Sequence, residues 1–211
     1  MPHQYIIAGI STEIGKTFIS SILTEALEAD YWKPVQSGAL GFTDTDTVKS
    51  SISNPRTVFH PETYRLTEPM SPHAAAAIDG VEIELSNFHL PETKNNLIIE
   101  LAGGLMVPLN DNETNVDLIK KLALPVILVS QNYLGSINHT LLSVAILKQQ
   151  NIPIKGLIFN GIQNIFSEDF ILKYTGLECL GRVDFEENID KNVVKKWAGI
   201  FATNLQFSKR L

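Results

Sequence analysis

Apolar positions along this chain fall into short, recurring runs. Residues 5–8, 31–35, 97–100, 126–129, 156–160 and 180–183 are runs of strand length, apolar at successive rather than alternate positions. Strands have that pattern when helices cover both faces of a parallel sheet, so that neither face meets water. Between them, residues 16–28, 115–122, 137–150, 168–174 and 190–202 read as helices. Strand–helix alternation predicts an α/β fold, a doubly wound, mostly parallel sheet with helices on both faces. Residues 44–90 are the least regular and are expected to hold one helix plus long connections. No internal repeat or Pro/Gly/Ser-rich linker interrupts the pattern, and 211 residues suit one domain, 1–211. In such sheets ligands bind beyond the carboxyl ends of the strands, so the residues just after each run are the ones to read for chemistry.

Composition narrows the partners. A net charge of −6 argues against a general nucleic-acid or membrane-surface binder, although a few amides and lysines can still hold a phosphate. The single cysteine, Cys179, excludes an internal disulfide and reads as a small buried residue in a reducing compartment. The first apolar run is too short for a signal-peptide core and no run would span a bilayer, so the expected location is the cytoplasm.

The first run leads into Gly9-Ile10-Ser11-Thr12-Glu13-Ile14-Gly15-Lys16-Thr17 and then a helix. Glycines let successive N–H groups face a phosphate, and the helix N-terminus adds further donors. Lys16 can reach the β- and γ-phosphates, and the Thr17 hydroxyl can ligate Mg²⁺, as in P-loop proteins. Five residues rather than four separate Gly9 from Gly15, one more than the usual spacing. An ordinary strand-to-helix turn would not account for strand, spacing and helix together.

Mg·ATP needs hard oxygen ligands at neighbouring strand ends. Glu100 ends the run at 97–100, just before Ala102-Gly103-Gly104, which reads as a close-approach loop. A buried carboxylate there is costly unless paired or metal-bound. Asp44-Thr45-Asp46-Thr47 offers a second set of oxygens, equally readable as a helix cap. Lys33, in Lys33-Pro34-Val35-Gln36-Ser37-Gly38, brings a positive charge to where negative charge would build in phosphoryl transfer. Ser37 can hydrogen-bond a substrate. Gly135-Ser136-Ile137-Asn138-His139 opens a long helix whose N–H groups suit a carboxylate, with Ser136 as a possible N-cap. His73 and His139 read as packed or hydrogen-bonded, and no Cys/His cluster has zinc spacing.

Together these segments resemble the dethiobiotin synthetase family. That family's loop reads approximately Gly-Thr-Asp-Thr-Glu-Val-Gly-Lys-Thr, with the same five-residue spacing. Lys33 to Gly38 is similar to its Lys-Pro-Val-x-Ser-Gly, and Glu68-Pro69-Met70-Ser71-Pro72-His73 to its Glu-Pro-x-Ser-Pro-His. Glu100 to Gly104 resembles its Glu-Gly-Ala-Gly-Gly, and Leu134 to His139 its Leu-Gly-Cys-Ile-Asn-His. The matches run in order and fade after about residue 160.

The resemblance implies a homodimeric, ATP- and Mg²⁺-dependent cyclo-ligase converting 7,8-diaminononanoate and CO₂ or bicarbonate to dethiobiotin. One amine would become a carbamate, the carbamate would attack the γ-phosphate, and the second amine would close the ureido ring. It implies Lys16 and Lys33 as catalytic residues, and Thr17, Asp46 and Glu100 as magnesium ligands. Nucleotide contacts would come from Glu13, Ile14, Gly15, Lys16, Thr17, Phe18, Asp46, Glu100, Leu101, Ala102 and Gly103. Asn160 and Gly161, with Asp184, Phe185 and Glu186, would meet the base. Thr12 and Ser37 would contact the diamine end, and Ser136, Ile137 and Asn138 of the partner subunit would receive the substrate carboxylate. Two positions depart from the family pattern: Ser11 replaces its loop Asp, and Leu101 replaces a glycine. They favour a competing reading, a nucleotide-binding regulatory module without turnover. A third reading is a partition-type or amidotransferase-linked P-loop ATPase. Those relatives commonly carry a second lysine in the phosphate loop, and residues 10–14 contain none.

Overall fold

A computed structural model of the protein describes residues 2–207, with side chains to residue 203. In chain order the elements are β1 (Gln4–Gly9), α1 (Lys16–Leu27), β2 (Asp30–Trp32), β3 (Val35–Ser37), α2 (Asp44–Ser51), β4 (Phe59–His60) and β5 (Tyr64–Leu66). They continue through α3 (Pro72–Asp79), a 3₁₀ turn at Leu85–Asn87, β6 (Leu97–Gly104), α4 (Asn115–Leu122), β7 (Val126–Gln131) and α5 (Ser136–Gln149). The chain closes with β8 (Ile154–Asn160), α6 (Ile165–Thr175), β9 (Cys179–Val183) and α7 (Lys191–Phe207).

Among the described residues, seven strands form one sheet in the order β4-β2-β6-β1-β7-β8-β9, and every pairing is parallel. Its middle strands are buried along most of their length: Ile6, Ile7, Ile98, Ile99, Ile127 and Leu128 are fully excluded from solvent. Helices on both faces account for the unbroken apolar runs. β1 lies at the centre. Strands β2, β4 and β6 lie on one side of it and the last three on the other, so the strand order reverses at β1 and opens a crevice past its carboxyl end.

Four expectations are corrected. The run at 31–35 is not one strand. Pro34 has no N–H to donate, and the chain breaks there: β2 stays in the main sheet, while β3 pairs with β5 in a separate two-stranded sheet. Residues 44–90 hold two helices, two short strands and a 3₁₀ turn rather than one helix. Ala102–Gly104 belongs to β6, and Gly104 still pairs with Gly9 across a register shift. Cys179 is exposed, not buried, because it starts the edge strand β9. No helix of the described residues is long and apolar enough to cross a membrane.

Candidate active site

The turn after β1 wraps back to start α1 at Gly15, whose φ of 85° is a left-handed conformation that side chains disfavour. A Cβ there would also lie 2.1 Å from the Asn160 amide nitrogen. Gly15 therefore lets the end of β8 press on the phosphate loop, where Asn160 Nδ2 donates to the Ile14 carbonyl at 3.0 Å. Lys16, at the head of α1, is 7 % exposed, and its Nζ folds back to donate to the Ser11 carbonyl at 2.9 Å. Burial pulls its pKa down to about 8; neighbouring Lys33 adds to this, and Glu100 and Asp44 oppose it.

Across the crevice stands Glu100, paired with Ile7 in the sheet and 1 % exposed. Three donors hold its carboxylate: Thr17 Oγ1 at 2.8 Å, Tyr31 OH at 2.9 Å and Lys33 Nζ at 3.1 Å. Burial pushes the Tyr31 hydroxyl far above its ordinary value and Glu100 adds to it, so Tyr31 is a fixed donor. Lys33 also makes an ion pair with Asp44, so its ammonium sits between two carboxylates. Burial works against that charge, but Glu100 and Asp44 more than offset it and hold Lys33 above its ordinary pKa. The Glu100 and Asp44 carboxylates and the Thr17 hydroxyl are hard oxygens of the kind a divalent ion takes, and in this structure the Lys33 ammonium occupies the space between the two carboxylates.

The aspartates at 44 and 46 separate cleanly. Thr43 caps α2, and Asp46 is the third residue of a capping box, accepting from Thr43 N at 2.9 Å and Thr43 Oγ1 at 2.8 Å. Asp46 therefore faces the cap, while Asp44, in the first turn, faces Lys33 and lines the cleft. Pro34 O accepts from Thr63 N at 2.9 Å and Tyr64 N at 3.1 Å, fixing the arm that carries Ser37. Ser37 Oγ is buried and has no hydrogen-bond partner among the described residues.

One cleft of about 600 Å³ gathers Thr12, Glu13, Gly15, Lys16 and Thr17 with Lys33, Ser37, Asp44, Glu100, Ala102 and Gly103. Ile14 and Phe18 bury their side chains in the core, and neither lines the cleft. Leu101 is likewise 2 % exposed and packed in the core, so this departure puts no side chain into the cleft. Ser11 borders an adjoining pocket of about 620 Å³ with Thr12, Met106 and His139. Asn160 and Gly161 end β8 beside Val183. Beyond β9, Asp184 pairs with Arg182, Phe185 is exposed, and Glu186 is taken by Lys196 Nζ at 3.0 Å and Trp197 Nε1 at 2.8 Å. Ser136, Ile137 and Asn138 line another pocket, of about 870 Å³, which shares no lining residue with the cleft. The N-cap of α5 is Gly135 at φ 99°, not Ser136, whose hydroxyl accepts from Tyr133 N at 3.3 Å. His139 hydrogen-bonds the Tyr133 hydroxyl at 2.8 Å.

Sequence reading missed three contributors. Tyr31 looked like one more apolar position of a strand. Gln36, 3 % exposed, donates to Gly38 O at 3.0 Å and accepts from Asp44 N at 3.3 Å, joining the Ser37 arm to α2. Pro69 to Pro72 forms a wall of the cleft, and its motif was visible but carried no role.

Comparison with known proteins follows the same lines. A family model described as an AAA domain matches residues 3–193. The chain is similar to the ATP-dependent dethiobiotin synthetase BioD of Cytophaga hutchinsonii, 53% identical over 196 residues, covering 92% of this chain and 95% of that one. Its counterpart from Christiangramia forsetii is 50% identical over 205 residues, covering 97% and 99%. Among solved structures, the septum site-determining protein MinD of Pyrococcus horikoshii, complexed with Mg-ADP, superposes with a TM-score of 0.64 at 14% identity, covering 100% of this chain and 97% of that one. A ParA family ATPase of Chlorobium tepidum gives 0.58 at 13% identity, covering 100% and 95%. These last two share the P-loop fold with the chain, and at that identity only the fold.

Proposed function

The chain belongs to the ATP-dependent dethiobiotin synthetase family, and we propose that its reaction runs in the cleft between the phosphate loop and the Lys33–Ser37 arm. The activity is ATP-dependent synthesis of dethiobiotin in biotin biosynthesis. The partition-type reading shares the fold and not the closer relatives. The observation that carries the reading is the meeting, in one cleft, of a P-loop with a buried Lys33 held by Glu100 and Asp44 and a Ser37 hydroxyl without a partner among the described residues.

Lys16 leaves the Ser11 carbonyl to hold the β- and γ-phosphates. Lys33 faces the carbamate formed from one substrate amine and CO₂. The carbamate oxygen attacks the γ-phosphorus, ADP leaves, and the second amine attacks the carbonyl carbon as phosphate departs and the ureido ring closes. Two lysine ammoniums at the oxygens where negative charge accumulates make this an electrostatic, preorganised catalyst. Ser37 and Thr12 orient the diamine end. Thr17, Glu100 and Asp44 would hold magnesium, which supplies charge neutralisation for the phosphate oxygens. Asp44 takes the place of Asp46 in that set, because Asp46 is committed to its cap. Asn160 and Gly161, with the residues after β9, meet the base.

The molecule is read as one domain and as a homodimer, with the Ser136–Asn138 turn completing the partner's site. Exposed Leu134, Leu142, Ile162 and Phe166 around that turn support an interface. The absence of a membrane-crossing helix among the described residues and the need for ATP support a cytoplasmic setting. Incubation with Mg·ATP, bicarbonate and 7,8-diaminononanoate tests the reading. Diamine-dependent phosphate release with a product of dethiobiotin's mass is expected; diamine-independent release would mean a plain ATPase.

A further inference from the structure

Beyond the carboxyl ends of β7, β8 and β9 lies a charged network that the reaction described above does not use. Arg182, on β9, extends one guanidinium nitrogen to the Gly161 carbonyl at 2.9 Å and faces Glu168 of α6 through Nε at 3.3 Å and Nη2 at 3.3 Å. Its remaining nitrogen pairs with Asp184. Glu168 is 6 % exposed and also accepts from the Asn164 N–H at 3.3 Å. Asn132, which hydrogen-bonds Glu168 as well, donates to the Ile162 carbonyl at 3.1 Å. The Gly161 carbonyl and the N–H of residue 164 are therefore held directly by the Arg182–Glu168 pair, and the Ile162 carbonyl by Asn132, which is itself bound to Glu168. Because peptides are planar, holding the Gly161 carbonyl fixes the whole plane joining 161 to 162. Asn160, one residue back, rests on the phosphate loop through Ile14.

A buried ion pair is a weak source of stability, since desolvation consumes most of the attraction. Its value here is geometric. Arg182 spans β9, the β8–α6 loop and α6, and without it the loop after Asn160 would be free to choose other peptide orientations.

We propose that Arg182 and Glu168 are positioning residues for recognition of the nucleotide base: they set the β8–α6 loop so that Asn160 and Gly161 present one fixed surface to it. The proposal rests on the reading above that Asn160 and Gly161 meet the base. Neither residue lines the cleft of the phosphate loop, so their effect is expected on the nucleoside rather than on the phosphates.

The test compares binding of ATP with binding of inorganic tripolyphosphate, which engages the phosphate loop without a base. Titrations use the full chain with magnesium, and circular dichroism checks the fold. The double variant Arg182→Met/Glu168→Gln removes both charges while a side-chain oxygen remains for Asn132 and Asn164. It is expected to bind ATP about ten-fold more weakly, the scale seen when a supporting residue behind a binding group is lost, with tripolyphosphate affinity within two-fold of the parent. Should the double variant not fold, Arg182→Lys keeps the charge and loses the two-sided reach, and a smaller loss confined to ATP is expected. Unchanged ATP binding, or an equal loss for both ligands, overturns the proposal. Asn160→Ala separates the two failures. If it weakens ATP selectively while the Arg182 variants do not, the clamp is wrong and the base site stands; if it does not, the base-site reading falls as well.

Discussion

Replacing Lys33 with Met tests the centre of the site, because the substitution keeps the stem and deletes only the ammonium. In the unliganded protein, Glu100 at 1 % exposure and Asp44 lose their shared counter-charge. Breaking a buried pair from one side costs about 3–5 kcal/mol when the remaining charge has no other support. Here Glu100 keeps its bonds from Thr17 and Tyr31, and the Asp44 side chain is 37 % exposed and solvated. The cost should therefore be smaller, about 2 kcal/mol, which for a chain of this size lowers the melting temperature by about 4–8 °C. The two carboxylates, relieved of their cation, should bind Mg²⁺ without nucleotide. Millimolar Mg²⁺ is thus expected to raise the melting point of the variant and leave that of the parent unchanged. Turnover loses a preorganised charge at the reacting oxygens, worth about 10²–10³ in kcat, or about 3–4 kcal/mol. Thermal melts with and without Mg²⁺, and kcat from diamine-dependent phosphate release, check both parts. A variant that turns over within ten-fold of the parent would refute the catalytic role, and a melting point indifferent to Mg²⁺ would refute the pairing argument.

Three further outcomes follow from the geometry. Asp46→Asn should lower the melting temperature through the lost capping box and leave kcat unchanged, whereas Asp44→Asn should raise the Mg²⁺ concentration for half-maximal turnover several-fold with little change in melting; the reverse pattern would return the metal role to Asp46. Gly38→Ala should cut kcat/KM sharply in a folded protein, because φ is 69° there and a Cβ would lie 2.6 Å from Pro69 Cα, pushing a wall of the cleft aside; normal activity would mean that this wall is not needed. Asp30, far from the cleft, titrates below its ordinary value of about 3.9: burial pushes it up, but bonds from Thr93, the Val58 N–H and Asn95, with His60 nearby, bring it down. A depressed carboxylate stabilises the fold fully above its unfolded pKa and loses that contribution as pH falls through the folded one, so Asp30→Asn should flatten the decline in melting temperature below about pH 4; melts from pH 6 to 3 that keep the parent's slope would show that Asp30 contributes nothing.

How much of this site is legible in sequence depends on whether a feature is local. The phosphate loop is legible because strand, glycines, Lys16, Thr17 and helix follow one another within a few residues, and the structure keeps that order. The choice between Asp44 and Asp46 is not. Two residues apart on a helix, they differ by about 200° in direction, so which one faces the cleft depends on where α2 begins. Thr43 decides it by taking Asp46 into its cap. The sequence shows four candidate oxygens in a row, and only the cap assigns them. The split at Pro34 has a similar cause: a run of apolar residues and one proline reads equally as a continuous strand, until β5 supplies a second partner for Val35–Ser37. Hardest to read are contacts between distant strands. Glu100 lies 67 positions from Lys33 and 83 from Thr17; each reads as an isolated charge or hydroxyl, and a parallel sheet ordered β2-β6-β1 sets Lys33, just past β2, and Thr17, in the first turn of α1, against Glu100 of β6. The same ordering explains why Tyr31 went unnoticed. It is apolar in pattern and polar only at its tip, and burial beside β6 gives its hydroxyl the Glu100 carboxylate as partner. The chemistry of the cleft is thus set by strand order, and a reader of the sequence recovers it only as far as the order of strands can be inferred.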